Sequence, residues 1–401
     1  MTTKERFLRY VAIDTGSDEN SGAHPSSDKQ WALARLLEQE LTELGAQDVR
    51  VSDTCTVYAS IPANAEDQPA IGFIAHMDTS PSVPTGPVNA RCVLYEGGDL
   101  EVGSGVVMRA SEFPSLQSHA GQELIVTDGA TLLGGDDKAG VAEIMAACEI
   151  LLSDPSIMHG KLCIAFTPDE EIGHGVDFFD VDGFGAEFAY TVDGGAPYIL
   201  NYECFNACSA RIAIKGVNVH PGTAKNVMKN AALIATEFAG LLPLAETPSH
   251  TEGREGFYHL TDIRGDETNA SLHYILRDHD RARFEARKER VLAAAAFLNG
   301  RYGAGAVTVD LEDTYSNMRE EIDKHPEIIR RALDGLRAVG ETPEVVPIRG
   351  GTDGSRLTVM GLPCPNLPTG VYNMHSVMEY ASVPEMEEVT RLLIEIIRAR
   401  G

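Results

Sequence analysis

Apolar positions recur at helical spacing between residues 27 and 45, where Trp31, Leu33, Leu36, Leu37, Leu41 and Leu44 mark one face and Gly45 supplies a stop. Three shorter stretches are apolar throughout instead: Pro-Ala-Ile-Gly-Phe-Ile-Ala at 69–75, Lys-Leu-Cys-Ile-Ala-Phe-Thr at 161–167 and Glu-Phe-Ala-Tyr-Thr-Val at 187–192. Continuous runs of this length fit strands buried on both faces. A strong helical pattern over 138–152 separates the first from the second, so strands alternate with helices as in a sheet covered on both sides.

From about 205 to 313 the pattern changes. Strands are predicted at 209–215, 256–263, 269–277 and 305–311 and helices at 224–242 and 280–299, in the order βαββαβ of a ferredoxin-like unit. Helical patterns resume near 325–338, 352–360 and 384–399. The expectation is an α/β protein in which 1–204 and 317–401 form the main domain and 205–316 is an inserted lid, with hinges near 204–208 and 313–317. No internal repeat or low-complexity linker interrupts this plan.

A chain of 401 residues with 43% hydrophobic content is long enough for two such domains. Its start, Met1-Thr2-Thr3-Lys4-Glu5-Arg6, leads into a charged amphipathic stretch rather than the apolar run of a secretory leader. Nowhere does a run approach the roughly 18 apolar residues of a membrane span. Seven cysteines without a paired spacing argue for reduced thiols, hence for the cytoplasm. The formal charge of −27 disfavours nucleic acid and anionic lipid as partners, because both carry dense negative charge themselves. A homodimer is left open.

The residues with chemistry fall just after the predicted buried strands, where an open α/β sheet binds its ligands. They are His76-Met77-Asp78, Asp136-Asp137-Lys138, Glu170-Glu171, Asp193-Gly194-Gly195 and His375. Singly, each has another explanation: His76 as a satisfied strand-end histidine, Asp136 as a helix N-cap, Glu170 and Glu171 as a solvated pair, Asp193 as a turn former. Together, two histidines and several carboxylates at successive strand ends make the donor set that zinc prefers, and one bridging carboxylate would let them hold two ions. Adjacent Glu170 and Glu171 point different ways, so that one can bind metal while Glu170 acts as general base. Asp78, two residues beyond His76, can hydrogen-bond the other ring nitrogen and fix its tautomer.

These motifs resemble those of the di-zinc peptidases that include aminoacylase and carnosinase, over essentially the whole chain. The family's His-x-Asp is similar to His76-Met77-Asp78, its Asp-x-Lys to Asp136-Asp137-Lys138, its Glu-Glu to Glu170-Glu171, and its later Asp and His to Asp193 and His375. Within the family, Ile71–His76, Thr167–Glu171, Val219–Lys225 and Arg349–Gly354 look most like the bacterial aminopeptidases that act on tripeptides. The resemblance implies a mixed-sheet catalytic domain with two zinc ions. Asp136 would bridge them, His76 and Asp193 would complete one, and Glu171 and His375 the other. Glu170 would take a proton from the attacking water and return it to the leaving amine. In the insert, His220 is similar to a lid histidine that stabilises the oxyanion, and Arg277 to an arginine that binds the substrate carboxylate; a turn residue and a surface ion-pair residue are the alternatives. One departure stands out: after His375 the family often has Gly and a Lys, whereas this chain has Ser376-Val377-Met378-Glu379, which puts substrate contacts near that loop in question.

The function implied is removal of the N-terminal residue from tripeptides. Its nearest rival is a sibling dipeptidase, carboxypeptidase or N-acyl amino acid amidohydrolase with the same metals. A non-catalytic binding protein on this fold would be expected to have lost a ligand or the base, and here every position is filled. A serine or cysteine hydrolase lacks support, with no Gly-x-Ser-x-Gly elbow and no cysteine with an identifiable histidine partner.

Overall fold

The computed structural model describes residues 1–399. Its chain divides into two units, one comprising Met1–Tyr202, Met318–Val346 and the residues from Thr352 onward, the other Glu203–Asn317 with Pro347–Gly351.

The first unit opens with helices α1 (Thr3–Val11) and α2 (Gln30–Leu44) and strands β1 (Gln47–Val51), β2 (Val57–Ile61), β3 (Ile71–His76), β4 (Arg91–Leu94) and β5 (Glu123–Val126). Helix α3 (Gly135–Ser153) and strands β6 (Leu162–Thr167) and β7 (Phe188–Val192) follow. After the second unit come helices α4 (Pro326–Val339) and α5 (Asp353–Val359), strands β8 (Asn366–Leu367), β9 (Val371–Tyr372) and β10 (Tyr380–Ser382), and helix α6 (Val383–Arg398). Six strands form one mixed sheet in the order β1-β2-β6-β3-β7-β8, in which β6, β3, β7 and β8 run parallel while β1 and β2 are antiparallel. Every residue of β3, β6 and β7 is buried, as continuous apolar runs demand.

Helix α3 is buried nearly all round, through Ala139, Val141, Ala142, Ile144, Met145, Ala147, Cys148 and Leu151, which is why its sequence is apolar on every face. Each fully buried Leu, Ile or Phe in such a core contributes about 1.5–3 kcal/mol relative to exposure. Packing is close at Gly72, where an added Cβ would lie 2.5 Å from Phe184 and 2.8 Å from the Ala189 methyl. Asp136 does not cap this helix: the N-cap is Gly134, and Asp136 and Asp137 depart from helical dihedrals before the regular turns begin.

A smaller antiparallel sheet, β9-β10-β5-β4, was not foreseen, because its strands are too short to show a period. It covers its own apolar cluster, which includes Tyr95, Leu100, Val102, Met108, Leu116 and Tyr380.

In the second unit, strands Asn206–Lys215, Phe257–Gly265, Asn269–Asp278 and Val307–Tyr315 make one antiparallel sheet with helices Ala231–Gly240 and Arg281–Tyr302, in βαββαβ order. Ile212, Phe238, Leu272, Leu276, Phe284 and Leu298 form its core. The helix expected from 224 starts only at Ala231. Asn230 caps it, its side chain accepting from Leu233 N at 3.1 Å, and Lys229 pairs through its backbone with Val217 instead of joining the helix.

All seven cysteines are free, and only Cys92 is exposed. No helix among the described residues is long and apolar enough to cross a membrane.

Candidate active site

Parallel pairing sets the site's framework. His76 ends β3 in register with Thr167 at the end of β6, and the next turn, Glu170–Ile172, begins three residues later. Strand β7 ends at Val192, so Asp193 leaves the sheet at the same edge, and the irregular start of α3 brings in Asp136. The connection between β9 and β10 supplies His375, which holds a left-handed φ of 59°.

These residues converge on one carboxylate. His76 Nε2 lies 2.9 Å from Asp136 Oδ1, and His375 Nε2 lies 3.2 Å from Asp136 Oδ2. Each oxygen of Asp136 therefore faces a different imidazole. Asp193 Oδ1 is 3.7 Å from His76 Nε2, and Glu171 Oε2 is 2.9 Å from His375 Nε2. Two triads, His76 with Asp136 and Glu171, and His76 with Asp137 and Asp193, can each bring their donor atoms within 4.8 Å of one another. Glu171 is 4% exposed and its Oε1 has no hydrogen-bond partner, although it is buried. An orphaned carboxylate oxygen in an imidazole and carboxylate cluster fits a cation better than it fits an empty protein interior.

The electrostatics point the same way. Burial alone would lower the His76 imidazole, but hydrogen bonds to Asp136, Asp193 and Asp78 hold it well above its ordinary range. Hydrogen bonds to Asp136 and Glu171 push His375 up to about 10. Burial raises Glu171 and Asp193, in each case with the Asp136 carboxylate adding to it. Glu170 is raised well above a normal carboxyl by burial and by Asp193, Asp353 and Glu171, against the opposing pull of His76. The cluster holds more negative charge than its imidazoles neutralise, which is the deficit divalent cations supply.

Asp78 lies beside the His76 ring, whose Nδ1 is 3.1 Å from the Asp78 backbone oxygen. Its Oδ1 is 3.3 Å from His76 Nδ1, and its carboxylate also accepts from Glu170 N at 3.0 Å and Glu171 N at 3.3 Å. His220 and Arg277 belong to the second unit. His220 is exposed, its Nδ1 accepting from Gly222 N at 3.1 Å; Arg277 donates to Arg349 O at 3.1 Å and leaves its buried Nε without a partner.

Sequence reasoning gave no role to three acids around the cluster. Asp137 accepts the His76 amide at 3.1 Å and the Gly140 amide at 3.3 Å. Glu379, fully enclosed, takes the amides of Leu133 and Gly134 at 2.8 Å and of Asp136 at 2.9 Å, and so fixes the loop that presents Asp136. Asp353 accepts from Thr167 Oγ1 at 2.8 Å. Each stands near a residue already singled out or inside a family-like stretch, but only the fold shows which groups it binds.

Residues 128–399 match the family model described as peptidase family M20/M25/M40. The chain is 49% identical over 401 residues to peptidase T of Caldanaerobacter subterraneus subsp. tengcongensis, covering 99% of this chain and 98% of that protein. It is 52% identical over 397 residues to peptidase T of Desulfitobacterium hafniense, at 98% and 97% coverage. The chain belongs to the peptidase T branch of this family. Membership in the peptidase T branch makes it a metallopeptidase, and the cluster around Asp136 contains groups that could hold a metal ion. Among solved structures, the aminopeptidase PepT from Bacillus cereus and a tripeptidase from Staphylococcus aureus share this fold. Each has a TM-score of 0.79 over 99% of this chain and 97% of its own, at 21% and 19% identity.

Proposed function

We propose that this peptidase T relative releases the N-terminal residue from tripeptides, using two zinc ions held on either side of Asp136. The observation that carries the reading is the Asp136 carboxylate set between two imidazoles, one oxygen to each. His76 and Asp193 would complete one site, Glu171 and His375 the other, with Asp136 common to both. When bound, the ions supply Lewis-acid polarisation of the scissile carbonyl and acidify the attacking water.

The chain's own residues do the rest. Glu170 opens the turn that also contains Glu171, and its backbone amide is held by Asp78. Its carboxylate accepts the proton of the attacking water and delivers it to the leaving amine. Asp78 keeps the His76 ring oriented through Nδ1. In the second unit, His220 serves the oxyanion and Arg277 the peptide's terminal carboxylate. The unpartnered Nε of Arg277 supports a role in binding an anion. Seven free thiols suit a reducing, cytoplasmic setting.

Product analysis tests the reading. A tripeptide, the same peptide with a blocked N-terminus, a dipeptide and an N-acyl amino acid are each incubated with the zinc-loaded protein. Release of the first residue from the free tripeptide alone supports it, whereas preferred cleavage of the dipeptide or the N-acyl amino acid assigns a sibling activity. Replacing Arg277 with Ala should raise KM for free tripeptides more than for C-terminally amidated ones, and equal losses would return Arg277 to a structural role.

A further inference from the structure

The residue before the two glutamates is itself an aspartate, and its carboxylate is bonded away from His76 and His375. Asp169 is fully buried and adopts a left-handed φ of 54°, a conformation that Asp and Asn accept more readily than other side chains with a Cβ. It sits at the N-cap of the Glu170–Ile172 turn without capping it. Its carboxylate turns away to the segment between α1 and α2. Oδ1 accepts from Ser26 Oγ at 2.5 Å and Gln30 Nε2 at 2.6 Å, while Oδ2 accepts from Ser26 N at 2.7 Å and lies 3.2 Å from His24 Nδ1. Gln30 closes the clamp, its Oε1 accepting from Asp169 N at 3.2 Å.

That segment, residues 13–30, is tied to the other metal-site loops as well. Thr79 N donates to Thr15 O at 3.3 Å and Ser17 N to Thr79 O at 3.2 Å, just beyond Asp78. Lys138 Nζ donates to Ile13 O at 2.7 Å, just beyond Asp136 and Asp137. Three successive amides around the base are held by side chains: Asp169 N by Gln30, then Glu170 N and Glu171 N by Asp78. Both peptide planes flanking the Glu170 Cα are therefore pinned by Asp78, and the plane before them, between Pro168 and Asp169, is pinned by Gln30 at the end of the 13–30 segment.

We propose that Asp169 is a positioning residue for Glu170: by anchoring the 13–30 strap it fixes the backbone from which the general base projects. The inference rests on Glu170 being the base. Asp169→Asn keeps the volume and the left-handed backbone, but its amide presents donor hydrogens where Ser26 and Gln30 already donate. A reacting group displaced by about 1 Å loses on the order of 10²-fold in rate.

The test is a double-mutant cycle on kcat, KM and metal content. In the otherwise unaltered enzyme, Asp169→Asn lowers kcat about 10- to 100-fold, with KM and bound metal changed less than about twofold. In the Glu170→Gln background the same substitution lowers kcat no further, because the group it positions can no longer take a proton. Ser26→Ala combined with Gln30→Leu removes both side-chain donors to Oδ1, and the Gln30 acceptor of the Asp169 amide, while leaving residue 169 intact. It gives the same pattern, and it carries the cycle if Asp169→Asn does not fold. Equal falls in both backgrounds, a fall explained by lost metal, or an unchanged kcat would overturn the proposal. A Glu170→Gln enzyme that by itself turns over normally would overturn the base assignment instead, a result visible before any strap variant is made.

Discussion

The strands that carry His76, Glu171 and Asp193 to the site are buried along their whole length, whereas the hairpin that brings His375 and Glu379 is made of strands of only 2 and 3 residues. The long strands owe their positions to apolar packing and to parallel register. The hairpin adds polar anchors to the packing of its few buried residues, Val371, Tyr380 and Ala381. Tyr372 OH donates to Glu385 Oε2 at 2.7 Å, His119 Nε2 meets Glu385 Oε1 at 3.0 Å, and Glu379 gathers three amides of the loop that ends at Asp136. His375 itself is 47% exposed. One half of the site is thus held by long buried strands and the other by short buried strands tied down with hydrogen bonds, so damage to the two halves should read out differently.

The largest expected effect lies on the core-held half and separates chemistry from metal binding. Glu170→Gln should retain metal and substrate while kcat falls about 10²- to 10⁴-fold. Glu171→Gln should lose metal affinity first and activity as a consequence, because an amide is a poorer zinc ligand than a carboxylate. Kinetics beside elemental analysis checks both, and the reverse pattern would exchange their roles.

On the hydrogen-bonded half, Glu379→Ala should lower metal affinity by about 10- to 100-fold, the usual worth of a group that orients a ligand from behind. The loop presenting Asp136 loses three acceptor contacts while the six-stranded sheet stays intact. A metal titration with circular dichroism as control checks this, and unchanged affinity would make the hairpin passive.

The smallest expected effect on activity comes from the packing of β3. Gly72→Ala places a methyl against Phe184 and Ala189 and should cost about 1–3 kcal/mol of stability, with metal affinity nearly unchanged. Chemical denaturation measures the first and metal titration the second. A loss of metal larger than that of Glu379→Ala would reverse the contrast drawn above.

The same contrast explains what the sequence disclosed. Ile71–His76, Leu162–Thr167 and Phe188–Val192 are legible because burial on both faces leaves an unbroken apolar run, and the acids that follow them stand out against it. Val371–Tyr372 and Tyr380–Ser382 carry no period that could reveal them, so His375 was found by its type and by resemblance rather than by its element. Asp169 and Glu379 escaped for another reason. Their partners, Ser26 and Gln30 for one and Leu133 to Asp136 for the other, lie 139 to 143 and 243 to 246 positions away along the chain. The helix expected from 224 failed because local apolar spacing did not register the Val217–Lys229 pairing.

The central claim is that Asp136 serves two metal ions at once. Titrating metal-free protein with zinc, while following bound metal and turnover together, tests it most directly. Two ions should bind per chain, full turnover should require both, and Asp136→Ala should lose activity together with at least one ion. Full activity at a single zinc per chain would contradict the account.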